Sequence, residues 1–259
     1  MDPKRYAVLL CAEDTEYVKK KYGGYFGLFV GMLSEAGERW EVYRVACGEF
    51  PADDVLESYD GFVITGSCND AHGNDLWICK LIILLKKLDS MQKKILGICF
   101  GHQVLGRALG GTTGRAISGW DIGVTTIHFT PPKMFSSPNI PTSISVIECH
   151  QDEIRELPPR AVVMAWSQKT GIEMFKCGDH IMGIQGHPEY NKDILLHLIG
   201  RLSERKLIVE SFAEEVKANL VGKEPDLEVW RILCTNFLKG RDDSYAYDYK
   251  TLPISEKEK

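Results

Sequence analysis

The stretch that most limits what this chain can fold into is Lys94–Gln103, KILGICFGHQ, where an apolar run of strand type ends on Cys99 held between Gly97 and Gly101. Residues 103–109 are apolar-spaced and helix-permissive, so Cys99 falls at a strand-to-helix junction. Such an elbow strains its central residue and leaves no room for neighbouring side chains, which is what the two glycines provide for. The turn pushes the cysteine side chain into a cleft, and the following helix aims its N–H groups and positive dipole end at the sulfur. That field favours thiolate over thiol, and the thiolate is the attacking species.

Free cysteine is among the most buried residue types, so a cysteine taken alone reads as core packing. A second stretch reverses that reading. Ile181–Glu189, IMGIQGHPE, is another apolar strand, ending on His187 with a carboxylate, Glu189, two residues on. A nucleophilic cysteine needs a base to take its proton and return it to the leaving group, and the base needs an orienter that fixes its tautomer. His187 and Glu189 fit these roles, and Pro188 between them restricts the backbone.

The patterns Gly97-x-Cys99-x-Gly101-x-Gln103 and Gln185-Gly186-His187-Pro188-Glu189 resemble the class I glutamine amidotransferase domain, over about residues 5–205. The resemblance implies a Cys99, His187 and Glu189 triad on a doubly wound, flavodoxin-like α/β fold. Within that superfamily, Tyr22-Gly23-Gly24-Tyr25-Phe26, Ile64-Thr65-Gly66-Ser67 and Cys149–Ile154 look most like the plant gamma-glutamyl peptidases, stand-alone hydrolases that remove glutamate from glutathione conjugates. The implied chemistry is a gamma-glutamyl thioester on Cys99, cleaved by water that His187 activates, with glutamate and the Cys-Gly conjugate as products. Its implied setting is plant glutathione metabolism and glucosinolate biosynthesis. A glutaminase subunit supplying ammonia to a separate synthase is the alternative, since it cuts the same γ-carbonyl with the same residues. A catalytically dead binding module is a third reading, against which the complete triad weighs.

The remaining parts of the site also come from the resemblance. The oxyanion that forms on attack would meet the backbone N–H groups of Phe100 and Ser67, with Gly66 permitting the turn. Where many amidotransferases carry Gly-Pro, this chain has Ser67-Cys68, and Gly66-Ser67 also reads as an ordinary strand-end turn. Gln103, one helical turn past Cys99, is placed to reach substrate. Asp152 matches the family aspartate that meets the glutamyl amine, against the plainer reading of a solvated loop charge, and His150 reads as a packed histidine. Tyr22-Gly23-Gly24-Tyr25, with Tyr22 and Gly23 as the contacts, is expected to close over the substrate, or else form a plain Gly-rich turn; the chain has no phosphate-loop Gly-Lys-Ser there.

Around these motifs, Tyr6–Cys11, Trp40–Val45 and Gly61–Thr65 read as strands, with helical stripes over Tyr25–Glu35 and Leu76–Leu88. That alternation predicts a parallel sheet with its site at the strands' carboxyl ends. From Gly110 the pattern turns β-rich, with short strands at Val124–Phe129, Ile144–Glu148, Val162–Ser167 and Glu173–Cys177. Pro131, Pro132, Pro138 and Pro141 mark a surface loop. Helices follow at Lys192–Lys206, Ser211–Leu220 and Leu227–Lys239. The expected organisation is a catalytic domain over 5–205, a helical extension over 206–243 and a polar tail over 244–259.

At 259 residues and 44% hydrophobic content the chain is long enough for a sizeable core. A net charge of −5 without a basic stripe argues against nucleic acid. No apolar run approaches the ~20 residues a bilayer span needs, and the N-terminal MDPKR lacks an apolar signal region, so a soluble, cytosolic protein is expected. The eight cysteines lack any C-x-x-C pair and the seven histidines lack metal-ligand spacing, so neither a disulfide framework, a zinc site nor another cofactor is expected. The expected partner is a small peptide substrate, a glutathione S-conjugate.

Overall fold

Tyr6 and Val8 fill one hydrophobic cluster and Ala7 and Leu9 another, the two-residue period of a strand buried on both faces. A computed structural model describes residues 3–130 and 141–241. In its first half β1 (Arg5–Leu9) leads through α1 (Glu16–Tyr22) and α2 (Gly24–Leu33) to β2 (Arg39–Tyr43). The chain continues through β3 (Gly61–Ile64), α3 (Leu76–Ser90), β4 (Lys94–Ile98) and α4 (Phe100–Ala108). The second half holds β5 (Thr112–Arg115), β6 (Asp121–Phe129), β7 (Ser143–His150), β8 (Asp152–Glu156), β9 (Ala161–Ser167), β10 (Gly171–Cys177) and β11 (Ile181–Ile184). Helices α5 (Lys192–Glu204), α6 (Glu210–Asn219) and α7 (Leu227–Leu238) complete it.

Nine strands form one sheet in the order β2-β1-β3-β4-β11-β10-β9-β6-β7, while β5 and β8 pair separately. The run β2-β1-β3-β4-β11 is parallel and β10, β9, β6 and β7 are antiparallel to their neighbours, so the flavodoxin-like order carries a β-rich flank. This is the fold class the sequence predicts. One face of the parallel part packs Ile78, Leu81 and Leu85 of α3 and Leu105 of α4; the other packs Phe29 and Leu33 of α2 with Trp230 and Cys234 of α7. A third cluster sets Ile194, Leu195 and Ile199 of α5 and Val216 of α6 against Val124 and Ile147.

Three local differences from the sequence reading have physical causes. Helix α1 is unforeseen because Val18 is its one buried residue, and its register is set by a Thr15 side-chain cap accepting from the Val18 N–H rather than by an apolar stripe. Strands β5 and β8, absent from the sequence reading, pair only with each other through polar sequences, and Asp152 begins the second of them. Helix α7, in the segment read as an extension, places fully buried Trp230 and Cys234 in the same core as β1 and β4. Pro131, Pro132 and Pro138 and the 244–259 tail lie outside the described residues. Among the described residues no helix is long and apolar enough to cross a membrane.

Candidate active site

Cys99 stands between β4 and α4 with φ 52° and ψ −104°, a left-handed conformation that a residue with a β-carbon adopts only under strain. Two contacts enforce it: Cys99 N donates to Ile184 O at 2.8 Å, and Gln103 N donates to Cys99 O at 3.0 Å. The close fit explains the glycine at 101, where an added β-carbon would lie 2.4 Å from Ile64 O. Phe100 is the first residue of α4, where helix geometry leaves its N–H without an intrahelical acceptor.

Strand β11 is the parallel neighbour of β4, so its end delivers the second motif beside the first. His187 N donates to Ile147 O at 2.7 Å, fixing the turn, and His187 Nδ1 donates to Glu189 Oε1 at 2.8 Å. The imidazole also lies on the Tyr190 ring, with centroids 4.1 Å apart and planes 2° from parallel. Cys99, His187 and Glu189 are all buried, and Cys99 and His187 line the same cavity. With Nδ1 held by Glu189, Nε2 is the ring nitrogen left for Cys99. Burial works to lower the His187 pKa, but the charges of Glu189 and Cys99 outweigh it and hold the ring at about 10. The ring therefore keeps its proton beside Cys99, and a protonated histidine is the form that can give a proton to a leaving amine.

Gly66 follows β3 and faces this pair: a β-carbon there would stand 2.8 Å from His187 Cε1 and 3.7 Å from Cys99 Cβ. Ser67 Oγ accepts from Asn69 N at 3.1 Å, shaping the loop that carries the Ser67 N–H. Gly66, Ser67, Cys99, Gln103, Asp152 and His187 all line one cavity of about 540 Å³. Gln103 spends both Nε2 hydrogens inside the protein, on Asp152 O at 2.8 Å and Gln185 Oε1 at 3.1 Å, so it offers the cavity only an acceptor. The Asp152 carboxylate is buried, with Arg115 Nη1 at 2.7 Å and His72 Nδ1 at 3.4 Å; burial pushes its pKa up against the pull of Arg115. Asp70, His72 and Asp152 bring donor atoms within 4.8 Å of one another. Arg115 already bonds both aspartates there, at 3.0 and 2.7 Å, supplying the charge a cation would bring.

The structure does not bring Tyr22 and Gly23 to this cavity. Tyr22 ends α1 and accepts from Asn191 Nδ2 at 3.1 Å, and Gly23 caps the helix at φ 73°. The cavity wall is formed instead by Tyr25, on the next helix, with Trp120 and Tyr190. Of the stretch Tyr22–Tyr25 expected to close over the substrate, Tyr25 alone lines the cavity; no spacing announces Trp120, and Tyr190 had one signal, its place beside the His187 motif. His150 packs inside, Nδ1 donating to Asp152 O at 2.9 Å, with Nε2 at 3.2 Å from Glu148 Oε2. Behind it Glu148 and Glu173 are almost fully buried. Burial pushes both carboxyls well above the ordinary range; nearby Asp121 adds to this at Glu148, and Glu148 adds to it at Glu173.

Comparison with known proteins places the chain in a family. The profile of the family Glutamine amidotransferase class-I matches residues 21–194. Gamma-glutamyl peptidase 5 of Arabidopsis thaliana is 50% identical over 93% of this chain and 98% of its own length. Gamma-glutamyl peptidase 3 of the same plant is 47% identical over 92% and 97%. Among solved structures, a glutamine amidotransferase from Thermotoga maritima superposes with a TM-score of 0.65 at 20% identity, covering 92% of this chain and 97% of that one.

Proposed function

Because the chain belongs to the class I glutamine amidotransferase family, and because its relatives at up to 50% identity are named gamma-glutamyl peptidases, we propose that it hydrolyses gamma-glutamyl bonds through Cys99. The observation that carries the reading is the convergence, at the ends of adjacent parallel strands, of an elbow cysteine with a histidine bound to Glu189 at 2.8 Å. The imidazolium holds the Cys99 thiolate ready. Attack on the γ-carbonyl forms a tetrahedral oxyanion, which meets the N–H groups of Phe100 and Ser67. The Cys99 sulfur–carbon bond is made, the amide C–N bond breaks, and His187 gives its proton to the leaving nitrogen. Neutral His187 then takes a proton from water, which cleaves the thioester and frees glutamate.

The substrate class we propose is glutathione S-conjugates, with the Cys-Gly conjugate as the leaving group. A cavity of about 540 Å³ supports a substrate larger than glutamine, since enclosing clefts for drug-sized ligands run to about 300–1,000 Å³. Within it Asp152 and the Gln103 acceptor are the proposed contacts of the glutamyl amine. The test is glutamate release by the purified protein from glutathione, S-benzylglutathione and free glutamine. Fastest cleavage of the conjugate, at the γ bond only, is expected. Efficient glutamine hydrolysis with no cleavage of the conjugate would make the protein a glutaminase subunit instead.

A further inference from the structure

The cavity that holds Cys99 continues to the last turn of α5, where Arg201 and Arg205 line it. Among the described residues neither guanidinium has an ion-pair or hydrogen-bond partner. Arg115, the third arginine on the wall, differs because Asp70 and Asp152 already hold it. The dipole of α5 favours cations at its C-terminal end, but satisfies none of the five N–H donors of each fork. Arg201 shares the cavity wall with Tyr25, whose ring centroid is 6.3 Å from that of Tyr190, and Tyr190 lies on His187.

We propose that Arg201, with Arg205 beside it, forms a subsite for the terminal carboxylate of the leaving peptide, so that the site selects gamma-glutamyl amides whose leaving group ends in a carboxylate. This rests on the gamma-glutamyl hydrolase reading above and names the part of the substrate that reading leaves open. A planar guanidinium matches a carboxylate bidentately, which an amide or a bare ammonia leaving group does not exploit. A two-residue leaving group adds at most about 7 Å of extended chain beyond the scissile bond, to which the long Arg201 side chain adds its own reach from the wall of the cavity it shares with Cys99. Tyr25, Trp120, Leu198 and Leu202 wall the space around it with apolar surface suited to a sulfur substituent.

The test compares S-benzylglutathione with its C-terminal glycinamide, on wild type and on Arg201→Met. The wild-type kcat/KM ratio of acid to amide is expected to be about tenfold or more, the discrimination a hydrogen bond to a charged group supports. Arg201→Met should bring that ratio towards one, with Arg201→Lys, which keeps charge but loses the fork, in between. A wild-type ratio near one, or a ratio unchanged by Arg201→Met, overturns the subsite; the second result would place Arg201 at the glutamyl end or in the fold. Calorimetry on Cys99→Ala reads the same contact without turnover. Tighter binding of the acid than of the amide, lost on adding Arg201→Met, supports the subsite even if no bond is cut, in which case only the reading of the activity fails. Equal binding of the two, or binding of neither, overturns it.

Discussion

The imidazole of His187 lies flat on the phenol ring of Tyr190, 4.1 Å between centroids. Its Nδ1 is taken by Glu189 and its own backbone N–H by Ile147 O, so face, edge and backbone are each fixed and Nε2 is left for Cys99. A base held this way reacts without first searching for its orientation.

Removing the parts of the trio in turn should give unequal losses. Cys99→Ala is expected to lose activity by several orders of magnitude, since the proposed thioester requires sulfur, and His187→Asn nearly as much. Glu189→Gln should cost about a hundredfold less than either, because an orienter tunes the base without carrying the transferred proton. Single-turnover rates on a gamma-glutamyl amide check the order; Glu189→Gln ranking below His187→Asn would exchange their roles.

Gly66→Ala probes the same pair from the loop side. Its β-carbon would stand 2.8 Å from His187 Cε1, closer than real contacts allow, and the ring must move. A displacement of about 1 Å in a reacting group costs on the order of a hundredfold, so kcat should fall by that much with thermal stability little changed. A variant of wild-type rate would show that the ring position is not critical.

The pH profile follows from the raised His187 pKa. Folding lifts it from an ordinary 6.5 to about 10, so the protonated ring adds stability that is fully present below pH 6.5 and is lost as pH rises through about 10. Amide cleavage needs that proton for the leaving nitrogen, whereas alkylation of a thiolate does not. The rate of amide cleavage should therefore drop as pH climbs towards 10 while iodoacetamide alkylation of Cys99 persists. Glu189→Gln removes one of the charges holding the proton and should shift the drop to lower pH.

Helix α7 should behave as core rather than as an appendage. Trp230 is fully buried and its Nε1 donates to Ser145 O at 2.9 Å. Trp230→Ala is expected to destabilise by about 3–5 kcal/mol in denaturant unfolding, the usual cost of emptying an aromatic core site. A loss below 1 kcal/mol would mean that α7 folds independently of the sheet.

The parts of this fold that were legible in the sequence are those where burial on both faces writes continuous apolar runs. Strands β1, β3, β4 and β11 and the elbow at Cys99 follow from Tyr6–Cys11, Gly61–Thr65, Lys94–Ile98 and Ile181–Ile184. Polar elements held by a few long-range contacts left no such record. The strand that carries Asp152 left no apolar run because β8 pairs with an equally polar β5 through residues some 40 positions away, Arg115 pairing with Asp152. Tyr22 and Tyr25 look interchangeable around their glycines. The reversal between α1 and α2 sends one to Asn191 and the other to the cavity, and nothing local to the four residues encodes that choice. Arg201 owes its place to the length and direction of α5, which no motif states.

The buried carboxyls behind the site leave a mark on the whole molecule's titration. The formal charge of −5 counts Glu148 and Glu173 as ionised and every histidine as neutral. The fold keeps protons on these carboxyls and on His187 under conditions where the unfolded chain would release them. Near pH 6 His102, whose pKa burial pushes down to about 3, gives up a proton the unfolded chain would hold, but the two carboxyls that keep theirs outweigh it. In isoelectric focusing native protein should therefore band at a higher pH than the same chain in urea, whose position composition puts near 5.8.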